Sequence, residues 1–322
     1  LSENNTMPKP LCKIIAISGP TASGKTALAI RLAQEFGGEI VSADSMQVYR
    51  YLDIGTAKPT PAEQAACRHH LIDIVNPDED YDAGRFSTDA DRIIDELQQA
   101  GRIPFVVGGT GLYLRALCQG MIECPKPDQA LRTEIEAELA ARGIGPIAEL
   151  LRRVDPVSMA RIHPNDHYRL LRAYEIWKLT GQPASQLWAE HRFAQQRYDL
   201  LHLGLSLDRS RLYERIEERA AAMIRAGIID EVAALLARGY SDDIKPLQSI
   251  YYKHVVGHLR GQIGAADLLG LIQRDTRRYA KRQLTWFRNQ PEMVWFQPHK
   301  DYAAICQQIE YFLKKELIFV RS

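Results

Sequence analysis

Apolar positions in the N-terminal third fall in short runs separated by stretches of helical spacing. Residues 13–18 hold an apolar run of strand length, and residues 27–36 carry apolar side chains at helical spacing up to Gly37 and Gly38. A glycine pair there supplies the left-handed stop that ends a helix. Further strands are predicted at 39–42, 71–75 and 103–107, with a helix at 88–100 closed by Gly101. Strands that alternate with helices are joined by crossovers, so the pattern predicts a parallel sheet covered by helices.

The pattern changes at about Cys118. Up to Arg197 no segment alternates as a strand. Leu131, Ile135 and Leu139 share a helical face, as do Ile147, Leu150, Leu151 and Val154, and then Leu170, Leu171, Tyr174 and Trp177 before Gly181. These stripes predict an all-helical insertion domain over 118–197. It divides a core made of 11–117 and 198–322, with 1–10 as a frayed tail. After the insertion a strand is expected at 200–207. Helices are expected at 209–226, 228–237, 250–260 and 265–288, then a short strand at 294–296 and a helix at 302–315.

The first strand runs into Gly19-Pro20-Thr21-Ala22-Ser23-Gly24-Lys25-Thr26. This fits the phosphate-loop pattern of two glycines with four residues between them, followed by Lys and Ser or Thr, in the strand-to-helix setting the motif requires. Backbone N–H groups curl around a phosphate there, and the helix N-terminus adds positive potential. Lys25 contributes a mobile charge, and the Thr26 hydroxyl can bind Mg²⁺. The loop specifies a polyphosphate but not ATP. A hydrolytic relative would place an acid at the end of another strand, whereas 103–107 runs into Gly108-Gly109-Thr110-Gly111. Asp44, after the second strand, is the acid best placed near the phosphates, because ligands of such sheets bind beyond the carboxyl ends of the strands.

Composition narrows the setting. The chain has 322 residues, 46% of them hydrophobic, enough for a substantial core. Its five cysteines (Cys12, Cys67, Cys118, Cys124 and Cys306) include no CxxC pair, which fits reduced thiols in the cytoplasm. No run is long and apolar enough for a membrane span. The formal net charge of +1 does not mark a nucleic-acid binder, so such a role must rest on a local patch. One exists at 274–288, where Arg274, Arg277, Arg278, Lys281, Arg282 and Arg288 gather with Asp275 as the one acid among them. Arg274, Arg278 and Lys281 share a helical face able to track RNA phosphates.

Three segments occur together: the phosphate loop; Asp44-Ser45 followed by Asp53-Ile54-Gly55-Thr56-Ala57-Lys58-Pro59; and Val107-Gly108-Gly109-Thr110-Gly111-Leu112-Tyr113. Further along stand Arg161-Ile162-His163-Pro164-Asn165-Asp166, Arg215-Ile216-Glu217-Glu218-Arg219 and Ala280-Lys281-Arg282-Gln283-Leu284-Thr285-Trp286. In order and spacing the chain resembles the bacterial tRNA dimethylallyltransferases from Ile14 to about Phe296. The resemblance implies a P-loop NTPase-like core whose loop, Gly19 to Thr26, grips dimethylallyl diphosphate with Mg²⁺. The N6 of the adenosine 3′ of the anticodon, position 37, would then displace diphosphate from the donor's first carbon. Asp44 matches the catalytic acid and Arg219 the catalytic arginine, with Thr26 beside them. Contact with the tRNA anticodon stem-loop is implied for Asp44, Ser45, Met46, Gln47, Thr110, Arg132, Tyr168, Arg169, Leu170, Leu171, Arg172, Tyr252, Lys253, Lys281 and Arg282. Two places depart from the family pattern: Tyr251 stands where glycine is common, and His167-Tyr168 where Pro-Gln is common. A cytoplasmic monomer is the expected form.

Other classes predict different features. A small-molecule kinase would need an acceptor-phosphate site and an arginine-rich lid. A prenyltransferase of free adenine nucleotides would need neither the insertion nor the basic helix. A non-enzymatic RNA-binding protein would have no reason to keep Lys25, Thr26 and Asp44.

Overall fold

A computed structural model of the chain describes residues 11–121, 129–191 and 196–315; the tail expected at 1–10 and Cys124 lie outside them. The chain forms two compact units, one running to Cys118 and resuming at Gln196, the other spanning Gln119–Gln195.

The larger unit begins with β1 (Lys13–Ser18), α1 (Lys25–Phe36), β2 (Gly38–Ser42), α2 (Pro61–Ala66), β3 (His69–His70), α3 (Ala83–Gln99), β4 (Ile103–Gly108) and α4 (Gly111–Gln119). The smaller unit holds α5 (Gln129–Arg142), α6 (Ile144–Val154), α7 (Pro156–Arg161), α8 (His167–Thr180) and α9 (Ala184–His191). The larger unit resumes with β5 (Asp199–Leu205), α10 (Arg209–Arg225), α11 (Ile228–Ala237), α12 (Ile250–Leu259), α13 (Ala265–Arg288), β6 (Val294–Phe296) and α14 (Tyr302–Lys314).

The six strands form one sheet in the order β3-β2-β4-β1-β5-β6, and every pairing is parallel. β1 lies between β4 and β5, with Ile17 level with Val107 on one side and Leu203 on the other. Side chains alternate across a strand. Ile14 and Ala16 therefore join Val41, Val106, Phe86 and Ile94 in the core on one face. Ile15 and Ile17 join Leu28, Leu32, Phe105 and Ile305 on the other. A sheet buried on both faces explains why its strands read as continuous apolar runs.

The expected third strand is corrected. Leu71 and Asp73 adopt left-handed backbone, φ 62° and 56°, which breaks a strand at each. Pairing is confined to His69 and His70 beside Ile40 and Val41, and Val75 makes only an isolated bridge to Tyr49. α3 starts earlier than its apolar stripe implies, because the Asp82 side chain accepts the Arg85 N–H at 2.9 Å and caps it. α2 and α4 add to the expected elements. The first is set by a capping box between Thr60 and Glu63.

In the smaller unit, Ile135, Ile147, Leu151, Leu170, Tyr174 and Ala184 pack into a core of their own. Asp155, 1% exposed, accepts from Ser158 N, Ser158 Oγ and Ser185 N at 3.0, 2.6 and 3.0 Å, tying α7 to α9. Among the described residues no helix is long and apolar enough to cross a membrane.

Candidate active site

The carboxyl ends of β1, β2 and β4 open onto a cavity of about 1130 Å³ within the larger unit. At its floor Gly24 takes left-handed backbone, φ 95°, and launches α1 from Lys25. The ammonium of Lys25 donates to the carbonyls of Gly19 and Pro20 at 3.0 and 2.8 Å. Desolvation first, and then the nearby charge of Arg219, lower its pKa to about 7, with Asp44 acting in the opposite sense. Thr21, Ala22, Gly24, Lys25 and Thr26 line the cavity. Gly19, Pro20 and Ser23 support from behind. A side chain at Gly19 would meet the Leu205 carbonyl at 2.7 Å, and the buried Ser23 hydroxyl has no hydrogen-bond partner among the described residues.

Asp44 faces the same cavity, held by its own backbone turn. Its Oδ1 accepts from the N–H groups of Met46 and Gln47 at 2.8 and 3.3 Å. No hydrogen bond within the described residues engages Oδ2, so one oxygen fixes the carboxylate while the other is available to a ligand. Thr110, in the loop after β4, braces this turn: its Oγ1 accepts from Ser45 N at 3.2 Å and donates to Ser45 Oγ at 3.4 Å.

α10 forms a wall, presenting Arg215, Arg219, Ala222, Met223 and Ala226 to the cavity at helical spacing. Desolvation lowers the pKa of Arg219; Tyr251 and Asp44 oppose that shift and Arg215 adds to it. α13 closes the top with Tyr279 and Gln283, one turn apart. Burial, and then the charge of Asp44, push the Tyr279 hydroxyl pKa upward.

Gln283 is a functional position that sequence reasoning left unassigned. Its Oε1 accepts the Thr21 N–H at 2.8 Å, and its Nε2 donates to the Gly109 carbonyl at 3.0 Å. One buried amide thus joins the phosphate loop to the loop after β4. Close approach of other groups explains the three glycines: a Cβ on Gly108 would meet the Ala43 carbonyl at 2.0 Å, one on Gly109 would meet Gln283 Nε2 at 2.3 Å, and one on Gly111 would meet Trp286 Nε1 at 2.0 Å.

A second unassigned position is Glu231 on α11. It accepts from the N–H groups of Asp53, Ile54 and Gly55 at 2.9, 2.7 and 3.2 Å and from the Tyr252 hydroxyl at 2.6 Å. Gln47 Nε2 donates to the carbonyls of Thr56 and Ala57 at 3.3 and 3.2 Å, and Lys58 bridges Asp53 and Asp73 at 2.5 and 2.6 Å. The segment 53–58 is therefore a fixed wall of the cavity.

The other expected RNA-contact positions are scattered. Within α13, Asp275 binds Arg274 at 3.0 Å and Arg278 at 3.4 Å, and Arg277 binds Glu217 at 2.7 Å. Lys281 and Arg282 are exposed and make no ion pair among the described residues. Lys253 is 3.4 Å from Asp275. Tyr252 is 1% exposed, its ring against Gly55, so it supports the 53–58 wall from within. In the smaller unit Tyr168 is 81% exposed and Arg132 is exposed, while Arg169 and Arg172 pair with Asp166 and Glu175. Leu170 is 1% exposed in that unit's core, and Leu171 is half-buried against it.

A phosphate loop on an all-parallel sheet, with one carboxylate and one desolvated arginine across a shared cavity, defines a P-loop NTPase-like enzyme of the group-transfer kind. A family model described as IPP transferase matches residues 47–290. The chain belongs to that family of prenyltransferases. It is 49% identical over 304 residues to a tRNA dimethylallyltransferase 2 of Geotalea uraniireducens, covering 93% of this chain and 97% of that protein. A tRNA dimethylallyltransferase of Geobacter sulfurreducens is 46% identical over 293 residues, 91% of this chain and 94% of that one. Among solved structures, the full-length tRNA isopentenylpyrophosphate transferase of Bacillus halodurans superposes with a TM-score of 0.69 at 39% identity, over 94% of this chain and 98% of that one. A eukaryotic dimethylallyltransferase solved acting on tRNA gives 0.78 at 28% identity, over 95% and 81%.

Proposed function

We propose that this chain is a cytoplasmic tRNA dimethylallyltransferase, moving a dimethylallyl group from dimethylallyl diphosphate to N6 of the adenosine 3′ of the anticodon. The observation that carries the reading is the convergence of Lys25, Asp44 and Arg219 on one cavity large enough for a diphosphate donor and a base together.

The residues divide the chemistry between them. Loop amides and Lys25 hold the diphosphate. The N6 lone pair forms the bond to the donor's first carbon as that carbon's bond to oxygen breaks and its electron pair leaves with diphosphate. Lys25 and Arg219 stabilise the charge that grows on the departing group. The displaced N6 proton passes to Asp44, whose Oδ1 is already fixed by Met46 and Gln47 while Oδ2 is open. An adenine must leave its stack to reach such a site, at a cost of about a few kcal/mol that contacts on the surrounding RNA offset.

The donor set also fits Mg²⁺. No group of three His, Cys, Asp or Glu side chains able to hold a metal occurs among the described residues. Mg²⁺, however, is commonly held by one or two protein oxygens, with substrate phosphates and water completing the shell. The Thr26 hydroxyl would hold it, and the ion would neutralise charge on the diphosphate. Incubation with dimethylallyl diphosphate labelled in its isoprenyl group and unmodified tRNA, followed by nucleoside analysis, tests the function. Label should appear on N6 of one adenosine; its absence there would overturn the reading.

A further inference from the structure

The cavity holds more positive charge than the roles above use. Arg215 lies one turn before Arg219 on the same face of α10 and lines the same cavity. Its guanidinium reaches the start of α1. Its two terminal nitrogens lie 3.6 and 3.7 Å from the point a Cβ on Gly24 would occupy, over the backbone where the phosphate loop turns into the helix.

Its partners set it apart from neighbouring cations. Arg211 pairs with Glu214 at 3.1 Å, and Arg277, which packs across from α10, pairs with Glu217 at 2.7 Å. Arg215 forms no ion pair with a carboxylate among the described residues. Its one side-chain hydrogen bond there is to the imidazole Nε2 of the exposed His299, at 3.3 Å.

Lys25, Arg215 and Arg219 converge on the phosphate-loop end of the cavity, with Asp44 facing them. Of the other carboxylates that line the cavity, Asp53 and Asp73 are paired with Lys58, Glu63 is engaged by Thr60, and Glu218 lies on the exposed surface of α10. The cations oppose one another: Arg215 acts against the charge of Arg219, and Arg219 against that of Lys25. Like charges held together in a desolvated site are unfavourable unless an anion joins them. A helix N-terminus and one lysine suit a single phosphate group. Two guanidinium forks on one helix face suit a second, because each can donate two parallel N–H bonds to phosphate oxygens.

We infer that Arg215 is a second diphosphate-binding arginine, closing on the donor's diphosphate from the α10 side and sharing with Arg219 the charge that develops as the carbon–oxygen bond breaks. This rests on the donor reading proposed above. In the free enzyme the guanidinium is held beside Gly24 with an imidazole nitrogen of His299, and no carboxylate, as its hydrogen-bond partner, so its charge remains available to the ligand.

Calorimetric titration with inorganic diphosphate, on wild type, Arg215→Gln and Arg215→Lys, tests the inference. Arg215 is partly exposed and outside the core, so both variants should fold, and a thermal melt checks this. The glutamine variant should bind diphosphate about ten- to hundredfold more weakly, the usual weight of one charge-assisted pair. Lysine should recover part of the loss, because it keeps the charge without the fork. Affinity for tRNA in filter binding should not change. Single-turnover transfer at saturating donor should remain slower in the glutamine variant, because the charge to be stabilised is greatest in the transition state. Wild-type diphosphate affinity in Arg215→Gln would overturn the inference, as would an equal loss of tRNA affinity, which would mark a general disturbance of the wall. If wild type itself failed to bind diphosphate, the donor reading would fall instead.

Discussion

At the scale of single residues the proposed chemistry centres on Lys25 and Asp44. In the free enzyme the Lys25 pKa lies near 7 rather than 10.5, chiefly through desolvation. Between those values the unfolded chain binds the proton and the folded chain does not, so this residue's contribution to folding stability rises with pH across that window. A bound polyanion restores the charged form. Diphosphate binding at pH 8 should therefore take up protons, and its calorimetric heat should vary with the ionisation enthalpy of the buffer. A buffer-independent heat would show that Lys25 is already fully charged. For Asp44→Asn, which keeps the turn but removes the base, single-turnover transfer should fall at least about a hundredfold, the low end for a general base. Affinity for tRNA should hold. If affinity collapsed while the rate at saturating tRNA stayed normal, Asp44 would be a positioning residue.

At the scale of elements, α13 serves two surfaces at once. Its inner face sends Gln283 between the phosphate loop and the loop after β4, and its outer face carries Lys281 and Arg282. Gln283→Leu strands the Thr21 N–H and the Gly109 carbonyl, at about 1–3 kcal/mol for each buried group left unpaired. It should lower the melting temperature and weaken diphosphate binding together; a variant that melts and binds as wild type would show that the clamp is dispensable. On the outer face, Lys281→Ala with Arg282→Ala should weaken tRNA binding and flatten its salt dependence, by about 0.7–0.9 in slope for each phosphate no longer neutralised. An unchanged slope would show that these two cations do not meet the RNA. Arg274 and Arg278 already share Asp275, so their removal should flatten it less. This difference was not legible in the sequence. Helical spacing placed the cations on one face, but nothing in the spacing showed that a single aspartate collects two of them. The phosphate loop was legible because its chemistry lies in eight consecutive residues. Gln283 was not, because its partners are 262 and 174 residues away. The run at 71–75 misled for a local reason: its apolar residues suit a strand, but the left-handed backbone at Leu71 and Asp73 does not.

At the scale of the whole molecule, the larger unit holds the entire cavity. The smaller unit is a separate helical body with its own core and with Arg132 and Tyr168 on its surface. Its helical character was legible because helical stripes replaced continuous apolar runs, while α7 and α9, six and eight residues long, escaped notice because each is so short. A donor site needs none of this second body, whereas recognition of a folded RNA gives it a use. On the proposed function, one chain joins a diphosphate-binding cavity to recognition of a tRNA. The most direct measurement compares transfer of labelled dimethylallyl to intact tRNA, to an isolated anticodon stem-loop and to free AMP. Transfer should occur to both RNAs at one adenosine and not to AMP. Transfer to AMP as efficient as to tRNA would contradict the proposed function and make this chain a prenyltransferase of free nucleotides.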